Sequence, residues 1–314
     1  MEIIMQLALL VVGFLMLVKG ADWFVEGSSK IADKFGIPQL VIGLTIVAMG
    51  TSAPEAAVSI TSALKGSAEI TIGNVLGSNI LNVLIILGLT AFICVIPVQR
   101  STVRYEIPFA IGVSVLLGVL GLVDGWVGFM DGVILWAFFL AYLAYLLWST
   151  KHGNNDGDEI PQLEEKDTIP RLLFLIVVGM GLVVWGADLT VDAATALAEM
   201  FGVSQRFIGL TIVALGTSLP ELVTSVTAGI KGKTDIAVGN IVGSNIFNIL
   251  FVVGTASLIT PVVYSSSFMV DSIITVASMA LLWLCVCRDR KISRTGGVIM
   301  LVSYLAYFIY LVQQ

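Results

Sequence analysis

Two glutamates in apolar sequence follow the same short motif. GTSAPE (50–55) ends at Glu55, and GTSLPE (216–221) ends at Glu221. A charged side chain at the centre of a membrane helix costs about 2.5–3.5 kcal/mol, and such residues usually face a partner or a water-filled cavity. Neither motif contains a Lys or Arg that would neutralise its glutamate. Two carboxylates without a protein counter-charge favour a bound cation over a protonated pair that only holds helices together.

A proline precedes each glutamate and is expected to break the helix. Pro54 has no N–H for the carbonyl of Gly50, and Pro220 leaves the carbonyl of Gly216 free in the same way. Free main-chain oxygens at membrane depth are tolerated only around a cavity or an ion. Each motif also supplies Thr and Ser hydroxyls four and three residues before its glutamate, on the same helix face. The motif therefore predicts ligand oxygens rather than an ordinary proline kink.

A second pair of polar motifs follows the glutamates, GNVLGSNILN (73–82) and GNIVGSNIFN (239–248). Their GxxxG patterns allow helices to approach closely. Packing does not explain amide and hydroxyl oxygens spaced at i, i+4 and i+8 along one helix face. These oxygens belong to Asn74, Ser78 and Asn82 in the first copy and to Asn240, Ser244 and Asn248 in the second.

The donor types in these motifs define the class of ligand. Carboxylate, hydroxyl, amide and main-chain oxygens suit hard cations, and the motifs contain neither Cys nor His. Ca²⁺ takes about 6–8 oxygens, Mg²⁺ prefers to keep several waters, and Na⁺ would also be satisfied by such a shell. The residues alone predict transport of an alkali or alkaline-earth cation, without a resident cofactor.

The motifs lie in two copies of one element. Residues 43–88 and 209–254 match at 25 of 46 positions without a gap, at a constant offset of 166. The surrounding chain is 57% hydrophobic and only 12% charged, against about 25% charged residues in soluble domains. Apolar runs of about 20 residues recur along it, and each is long enough to span a bilayer as a helix. We therefore predict an all-α integral membrane protein.

The same composition disfavours other classes of protein. A net charge of −6 argues against nucleic acid as a partner. The three cysteines have neither zinc-site nor redox spacing, and the single histidine, His152, lies in a predicted loop. No nucleophile–base pair accompanies Glu55 and Glu221, so we do not expect an enzyme.

We predict ten transmembrane helices in two five-helix repeats, residues 1–150 and 171–314, joined by an acidic linker at 151–170. Because each repeat has an odd number of spans, the second repeat enters the membrane inverted relative to the first. Inverted repeats of this kind recur in secondary transporters. With the N-terminus outside, thirteen Lys and Arg fall in cytoplasmic loops and two outside, so the linker is cytoplasmic and both termini are extracytoplasmic. The predicted spans are 3–29, 38–64, 69–93, 105–122, 129–148, 171–198, 204–230, 235–259, 268–287 and 296–312.

The paired motifs resemble the two alpha-repeats of the sodium/calcium exchanger family, and the short linker is most similar to its compact prokaryotic members. The resemblance implies exchange of Na⁺ for Ca²⁺ by alternating access, with broken helices 2, 3, 7 and 8 and with spans 1 and 6 sliding against them. Asn82 and Asn248 stand where several members of the family have an Asp. The implied ion ligands are Glu55, Glu221, Thr51, Thr217, Ser52, Ser218, Ser78, Ser244, Asn82, Asn248 and the backbone oxygens of Ala48 and Ala214.

Two alternatives remain open from the sequence. A Ca²⁺/H⁺ antiporter would discharge the two glutamates with protons, and a cation channel would need the same polar residues without inverted copies. The expected partners are Na⁺, Ca²⁺ and the lipid bilayer of the cytoplasmic membrane, and we expect the chain to function as a monomer.

Overall fold

A computed structural model of the protein describes residues 2–65, 69–152, 167–201 and 214–313. Nearly all of these residues are helical, as the sequence predicts. In chain order the helices are α1 (Glu2–Phe35), α2 (Gln39–Thr51), α3 (Ala53–Leu64), α4 (Glu69–Leu81, continuing through Asn82–Leu87 to Gly88–Ile93), α5 (Thr102–Glu106, continuing as Ile107–Asp124), α6 (Phe129–His152), α7 (Ile169–Met200), α8 (Ala214–Gly216), α9 (Leu219–Ile230), α10 (Thr234–Phe247, continuing through Asn248–Val253 to Gly254–Ile259), α11 (Phe268–Val286) and α12 (Arg294–Gln313).

The helices are long and apolar enough for a membrane bundle. Within the described part of the chain, eight helices could each cross a membrane, and the bent pair α2–α3 would make nine. The beginning of the predicted seventh span and most of the predicted linker, residues 202–213 and 153–166, lie outside the described residues. The count of ten spans therefore stays a prediction.

The prolines mark two helix breaks, as predicted. The axis bends by 50° between α2 and α3, where Ser52 leaves helical geometry at φ −82° and ψ 8°. Pro54 lies in the first turn of α3, where its missing N–H costs no helical hydrogen bond. The second copy repeats this arrangement, since α8 ends at Gly216 and α9 begins at Leu219 with Pro220 in its first turn.

The prediction that spans 3 and 8 are broken is wrong. Helices α4 and α10 contain no proline and continue without interruption. Instead, each widens into a π-helical segment, Asn82–Leu87 in α4 and Asn248–Val253 in α10. A π-helical segment keeps the backbone hydrogen-bonded while it changes the direction of side chains, and such segments are frequent at functional sites.

Two short antiparallel strand pairs connect distant loops. Strand β1 (Ile96–Pro97) pairs with β4 (Lys291–Ile292), and β2 (Trp126–Val127) pairs with β3 (Val262–Val263). Each strand has two residues, too few for a detectable alternation of polar and apolar side chains, so these strands could not be predicted from the sequence. Both pairs join a loop from before the linker to a loop from after it.

Helices α4 and α10 form the centre of the bundle, and α1 and α7 pack together beside it. The most apolar window of α10 is 94% buried within the protein, against 17% for α1. Along the contact between α1 and α7, glycines let the backbones touch. A Cβ added at Gly20 would lie 2.8 Å from the carbonyl oxygen of Gly179, and one at Gly186 would lie 2.8 Å from the backbone nitrogen of Leu17.

Candidate functional site

Glu55 and Glu221 occupy equivalent positions at the start of two helices. Glu55 lies in the first turn of α3 and Glu221 in the first turn of α9. Both side chains are only 1% exposed. The positive end of a helix dipole lies at its N-terminus and favours a carboxylate there. The helix breaks thus give each buried glutamate a favourable local environment without a basic residue.

Crossed hydrogen bonds connect the two motifs. The Ser52 hydroxyl donates to Oε1 of Glu221 at 2.7 Å, and the Ser218 hydroxyl lies 3.5 Å from Oε1 of Glu55. A serine at the N-cap usually bonds to a backbone N–H of its own helix. Neither Ser52 nor Ser218 makes that capping bond. Each hydroxyl is directed instead at the glutamate of the other copy, which brings the two carboxylates into one site.

The threonines of the motifs lie at the same place. Thr51 contacts the carbonyl oxygen of Val47 at 3.1 Å and the side-chain oxygen of Asn240 at 3.0 Å. Thr51 and Thr217 also lie close enough to interact with Glu221 and Glu55, respectively. The threonine hydroxyls therefore line the junction between the two copies.

The asparagines Asn74 and Asn240 hold the glutamate-bearing helices against α4 and α10. The Asn74 amide donates to the Ser59 hydroxyl at 2.9 Å and to the backbone oxygen of Glu55 at 3.2 Å. Asn240 donates to the Ser225 hydroxyl at 2.9 Å. The ligand prediction did not include Ser59 and Ser225, although both belong to the positions that match between the copies.

Four asparagines connect α4 directly to α10. Asn79 and Asn245 each donate from the side-chain amide to the other's backbone oxygen, at 3.2 and 3.1 Å. Asn82 donates to the side-chain oxygen of Asn245 at 3.0 Å, and Asn248 donates to that of Asn79 at 3.2 Å. We call these four residues the asparagine cluster. The ligand prediction did not contain Asn79 and Asn245, which are identical in the two copies and face the partner helix.

Four buried acceptor oxygens in this region have no hydrogen-bond donor among the described residues. They form two equivalent pairs, Oε2 of Glu55 and Glu221 and Oδ1 of Asn82 and Asn248. A buried acceptor without a partner costs about 1–3 kcal/mol, and more when it is charged. All four are hard oxygens of the kind that coordinate alkali and alkaline-earth cations.

No basic residue within the described chain neutralises the carboxylates. The ion pairs there connect Lys and Arg side chains to Asp22, Glu26 and Asp167, and none involves Glu55 or Glu221. The described residues also contain no group of three or more His, Cys, Asp or Glu side chains suited to a metal ion. A cation here would depend on two carboxylates and on neutral oxygens.

The remaining predicted ligands lie on the helices that form this junction. The Ser244 hydroxyl approaches the backbone oxygen of Ala48 at 3.4 Å, and that oxygen also accepts from the backbone N–H of Ser52 at 3.0 Å. Ser78 is buried in α4, 4% exposed. Ala214 is the first residue of α8, so its backbone precedes the break that contains Thr217 and Ser218.

The glycine motif in α10 allows the close approach that the sequence indicates. A Cβ at Gly243 would lie 2.7 Å from the backbone oxygen of Leu44, and one at Gly239 would lie 2.9 Å from that of Leu40. Helix α10 therefore packs backbone to backbone on α2, next to the broken end that carries Thr51. The equivalent partner of α4 would be residues 206–210, which lie outside the described residues.

Comparison with known proteins assigns this architecture to a family. The family model described as sodium/calcium exchanger protein matches residues 5–148 and 171–313. The chain belongs to the sodium/calcium exchanger family. Members of this family are transporters rather than enzymes, and the chain is accordingly a multi-pass membrane protein with at least eight apolar helices in its described part.

Individual exchangers are similar over nearly the whole chain. A putative antiporter, CaxA of Alkalimonas amylolytica, is 39% identical over 304 residues, 94% of this chain and 95% of its own length. The sodium/calcium exchanger MaX1 of Methanosarcina acetivorans is 30% identical over 342 residues, 96% of this chain and 97% of its own. Among solved structures, the sodium-calcium exchanger NCX_Mj without Na⁺ and Ca²⁺ superposes with a TM-score of 0.84 at 32% identity, covering 98% of this chain and 99% of that one.

Proposed function

We propose that the protein is a secondary antiporter that exchanges Na⁺ for Ca²⁺. The observation that carries this proposal is the set of four buried acceptor oxygens from the two motif copies, which have no donor among the described residues. Membership of the sodium/calcium exchanger family narrows the class of cation. The similar structure NCX_Mj has been solved after soaking with Na⁺ and with Ca²⁺ or Sr²⁺.

The two carboxylates are the charged ligands of the proposed site. Ca²⁺ would bind between Glu55 and Glu221, because a divalent ion balances both charges. Na⁺ ions would compete for the same carboxylates and for neutral oxygens around them. The proposed neutral ligands are Thr51, Thr217, Ser52, Ser218, Ser78, Ser244, Asn82 and Asn248, with the backbone oxygens of Ala48 and Ala214.

The proposed architecture is two inverted five-span repeats, residues 1–150 and 171–314, with ten spans in total. Reciprocal contacts support it, because Asn79 and Asn245 exchange equivalent hydrogen bonds across a separation of 166 residues. Strands β1 and β3 are also 166 residues apart, and each pairs with a strand from the other half of the chain. Such reciprocity is expected from a two-fold axis between the copies, and transporter sites lie on such axes.

Alternating access would move α1 and α7 together against the remaining helices. A ligand drives such a change only through different affinities for the two states or through relief of an energetic penalty. Here the penalty is the passage of two bare carboxylates across the apolar barrier. Cations that neutralise Glu55 and Glu221 would remove it, whereas the empty site would resist the change. This coupling gives exchange rather than leak.

The proposed location is the cytoplasmic membrane, with both termini outside and the acidic linker, residues 151–170, inside. Strand pair β1–β4 supports this orientation, because it brings the loop with Arg100 beside the loop with Arg288, as two loops on one side require. The protein would act as a monomer without a resident cofactor, since one chain supplies both halves of the site.

Transport in sealed liposomes tests the proposal. Purified protein is reconstituted, the vesicles are loaded with Na⁺, and Ca²⁺ uptake is followed after dilution into Na⁺-free medium. Parallel vesicles carry a pH gradient without Na⁺ or no gradient at all, and protein-free vesicles give the background. We expect uptake only with the outward Na⁺ gradient. Uptake driven by the pH gradient would establish Ca²⁺/H⁺ antiport instead, and uptake without a counter-cation would indicate a channel.

A further inference from the structure

A pocket with four arginines lies at the ends of α5 and α11, away from the carboxylate site. Its volume is about 430 Å³, and it is lined by Arg100, Val103, Arg104, Cys287, Arg288 and Arg290. The first three come from the loop before α5 and from its first turns, and the others from the loop after α11. Neither the exchange reaction nor the ion site uses this pocket.

Backbone contacts hold the two arginine-bearing loops together. Strands β1 and β4 pair there, and the Val98 N–H donates to the backbone oxygen of Arg290 at 2.8 Å. The Trp283 indole donates to the backbone oxygen of Val103 at 3.1 Å. Arg290 itself adopts a left-handed backbone conformation, φ 49°. The arginines are therefore juxtaposed by the fold rather than by chance positions of long side chains.

Three other basic residues predicted on this side of the membrane have acidic partners. Lys30 and Arg171 both pair with Asp167 at 3.1 Å, and Lys231 pairs with Asp22 at 2.6 Å. Within the described residues, no such ion pair involves the four pocket arginines. The orientation rule explains why basic residues lie on this side. It does not explain why four of them line one pocket whose lining includes no carboxylate, since their charges repel one another there.

The surroundings of the pocket favour a ligand that comes from the bilayer. Tyr105 and Trp283 are exposed beside it, and such aromatic side chains are typical of the headgroup level of a membrane. The Arg104 guanidinium lies 5.6 Å from the centre of the Tyr105 ring, which leaves the charge near that level. Basic pockets between membrane helices are suited to anionic headgroups, and planar guanidinium groups bind phosphate bidentately.

We propose that this pocket binds a phosphate group, and that the phosphate belongs to the headgroup of an anionic phospholipid. The lipid would connect α5 to α11 across the β1–β4 pair and so couple the two halves of the chain at the membrane surface. This proposal is independent of which cations the protein exchanges.

Lipid binding by the full-length protein in neutral detergent tests the proposal. Native mass spectrometry would follow titration with phosphatidylglycerol, with phosphatidylcholine as the neutral phospholipid and inorganic phosphate as the free anion. The test variant is Arg104→Gln/Arg288→Gln. The control, Lys291→Gln/Arg294→Gln, removes two charges from the same side but not from the pocket lining. Arg104→Lys/Arg288→Lys keeps the positive charges but removes the planar guanidinium groups that can bind phosphate bidentately. Thermal unfolding checks that every variant is folded.

We expect phosphatidylglycerol to bind at least about tenfold more weakly to the glutamine test variant, because each charge-assisted hydrogen bond is worth about that factor. The lysine variant should be intermediate, and the control should stay within about twofold of wild type. Equal losses in test and control variants, or no loss in either, would overturn the proposal. Displacement of the lipid by millimolar inorganic phosphate would overturn the assignment to a lipid.

Cys287 provides a second readout that does not depend on the arginine variants. It lines the pocket and is exposed, whereas Cys94 and Cys285 are half-buried. In a Cys94→Ala/Cys285→Ala background, phosphatidylglycerol should slow alkylation of Cys287 by a maleimide, and phosphatidylcholine should not. Alkylation rates that are the same with both lipids would contradict binding in this pocket.

Discussion

The central helices α4 and α10 are joined by hydrogen bonds, whereas α1 and α7 meet through glycines. In the centre, the asparagine cluster makes directional contacts of 3.0–3.2 Å that fix the distance and the rotation of the two helices. Between α1 and α7, Gly20 and Gly186 bring backbones into direct contact, and apolar side chains such as Leu17 and Val183 pack beside them without directional bonds. The first contact suits a fixed ion site, and the second packs α1 and α7 closely enough to move as one unit against that site.

The largest expected effect comes from removing a charge in the centre. Glu221→Gln should lower Na⁺-dependent Ca²⁺ uptake at least about a hundredfold, since loss of groups that only support metal ligands already costs 10–100-fold. The matched control is Glu106→Gln, because Glu106 is also buried, accepts one hydroxyl hydrogen bond, from Tyr145 at 2.7 Å, and leaves its Oε2 without a donor among the described residues, but lies in α5 outside both motif copies. Comparable losses of uptake in both variants would show that any buried carboxylate matters.

A second prediction breaks the glycine contact and leaves the site intact. Gly186→Leu would place atoms within 2.8 Å of the Leu17 backbone, and overpacking costs about 1–3 kcal/mol. We expect uptake to fall about tenfold while Ca²⁺ affinity stays near that of wild type. Gly181→Leu in the same helix is the control, because a Cβ there meets no described atom within 4 Å. A loss of Ca²⁺ affinity in Gly186→Leu would contradict the separation of moving and binding parts.

A third prediction removes part of the asparagine cluster. Asn79→Ala deletes the donor to the Asn245 backbone and the acceptor of Asn248. Loss of a buried hydrogen bond costs about 1–3 kcal/mol, so the unfolding temperature in detergent should fall. Ser303→Ala is the control, since the exposed Ser303 hydroxyl bonds only within its own helix. An unchanged unfolding temperature in Asn79→Ala would show that the cluster does not hold α4 to α10.

The smallest expected effect separates the two crossed serine contacts. The Ser52 hydroxyl lies 2.7 Å from Glu221, and the Ser218 hydroxyl lies 3.5 Å from Glu55. A neutral hydrogen bond contributes about 0.5–1.5 kcal/mol, and one to a charged group more. Ca²⁺ titration should therefore show a several-fold weaker affinity in Ser52→Ala and a smaller change in Ser218→Ala. The reverse order would mean that these distances do not reflect the ion-bound state.

The sequence predicted the residues and helix breaks of the site better than the contacts between those residues. Pro54 and Pro220 fixed the helix breaks through local chemistry, and the duplication identified both glutamates. Each motif serine contacts the glutamate of the other copy, and this arrangement depends on how α3 and α9 meet. The spacing of residues along one helix does not determine it. The same limit applies to Asn79 and Asn245, which belong to the repeated motif but lie off the i, i+4, i+8 stripe, because their contacts depend on how α4 and α10 meet.

The continuity of helices α4 and α10 could not be predicted from the sequence either. Broken helices were expected there only because the second motifs resemble those of the sodium/calcium exchanger family. The chain can keep its hydrogen bonds there by widening into π-helical segments that begin at Asn82 and Asn248. The unpaired oxygens of these two residues lie at the start of those segments.

Calcium binding to the purified protein tests the central claim most directly. Equilibrium binding of radioactive Ca²⁺ in detergent would be measured for wild type, Glu55→Gln and Glu106→Gln, with and without competing Na⁺. The account predicts that wild type and Glu106→Gln bind Ca²⁺ and lose it to Na⁺, while Glu55→Gln shows no binding at the same concentrations. Retention of Na⁺-sensitive Ca²⁺ binding by Glu55→Gln would contradict the assignment of the site.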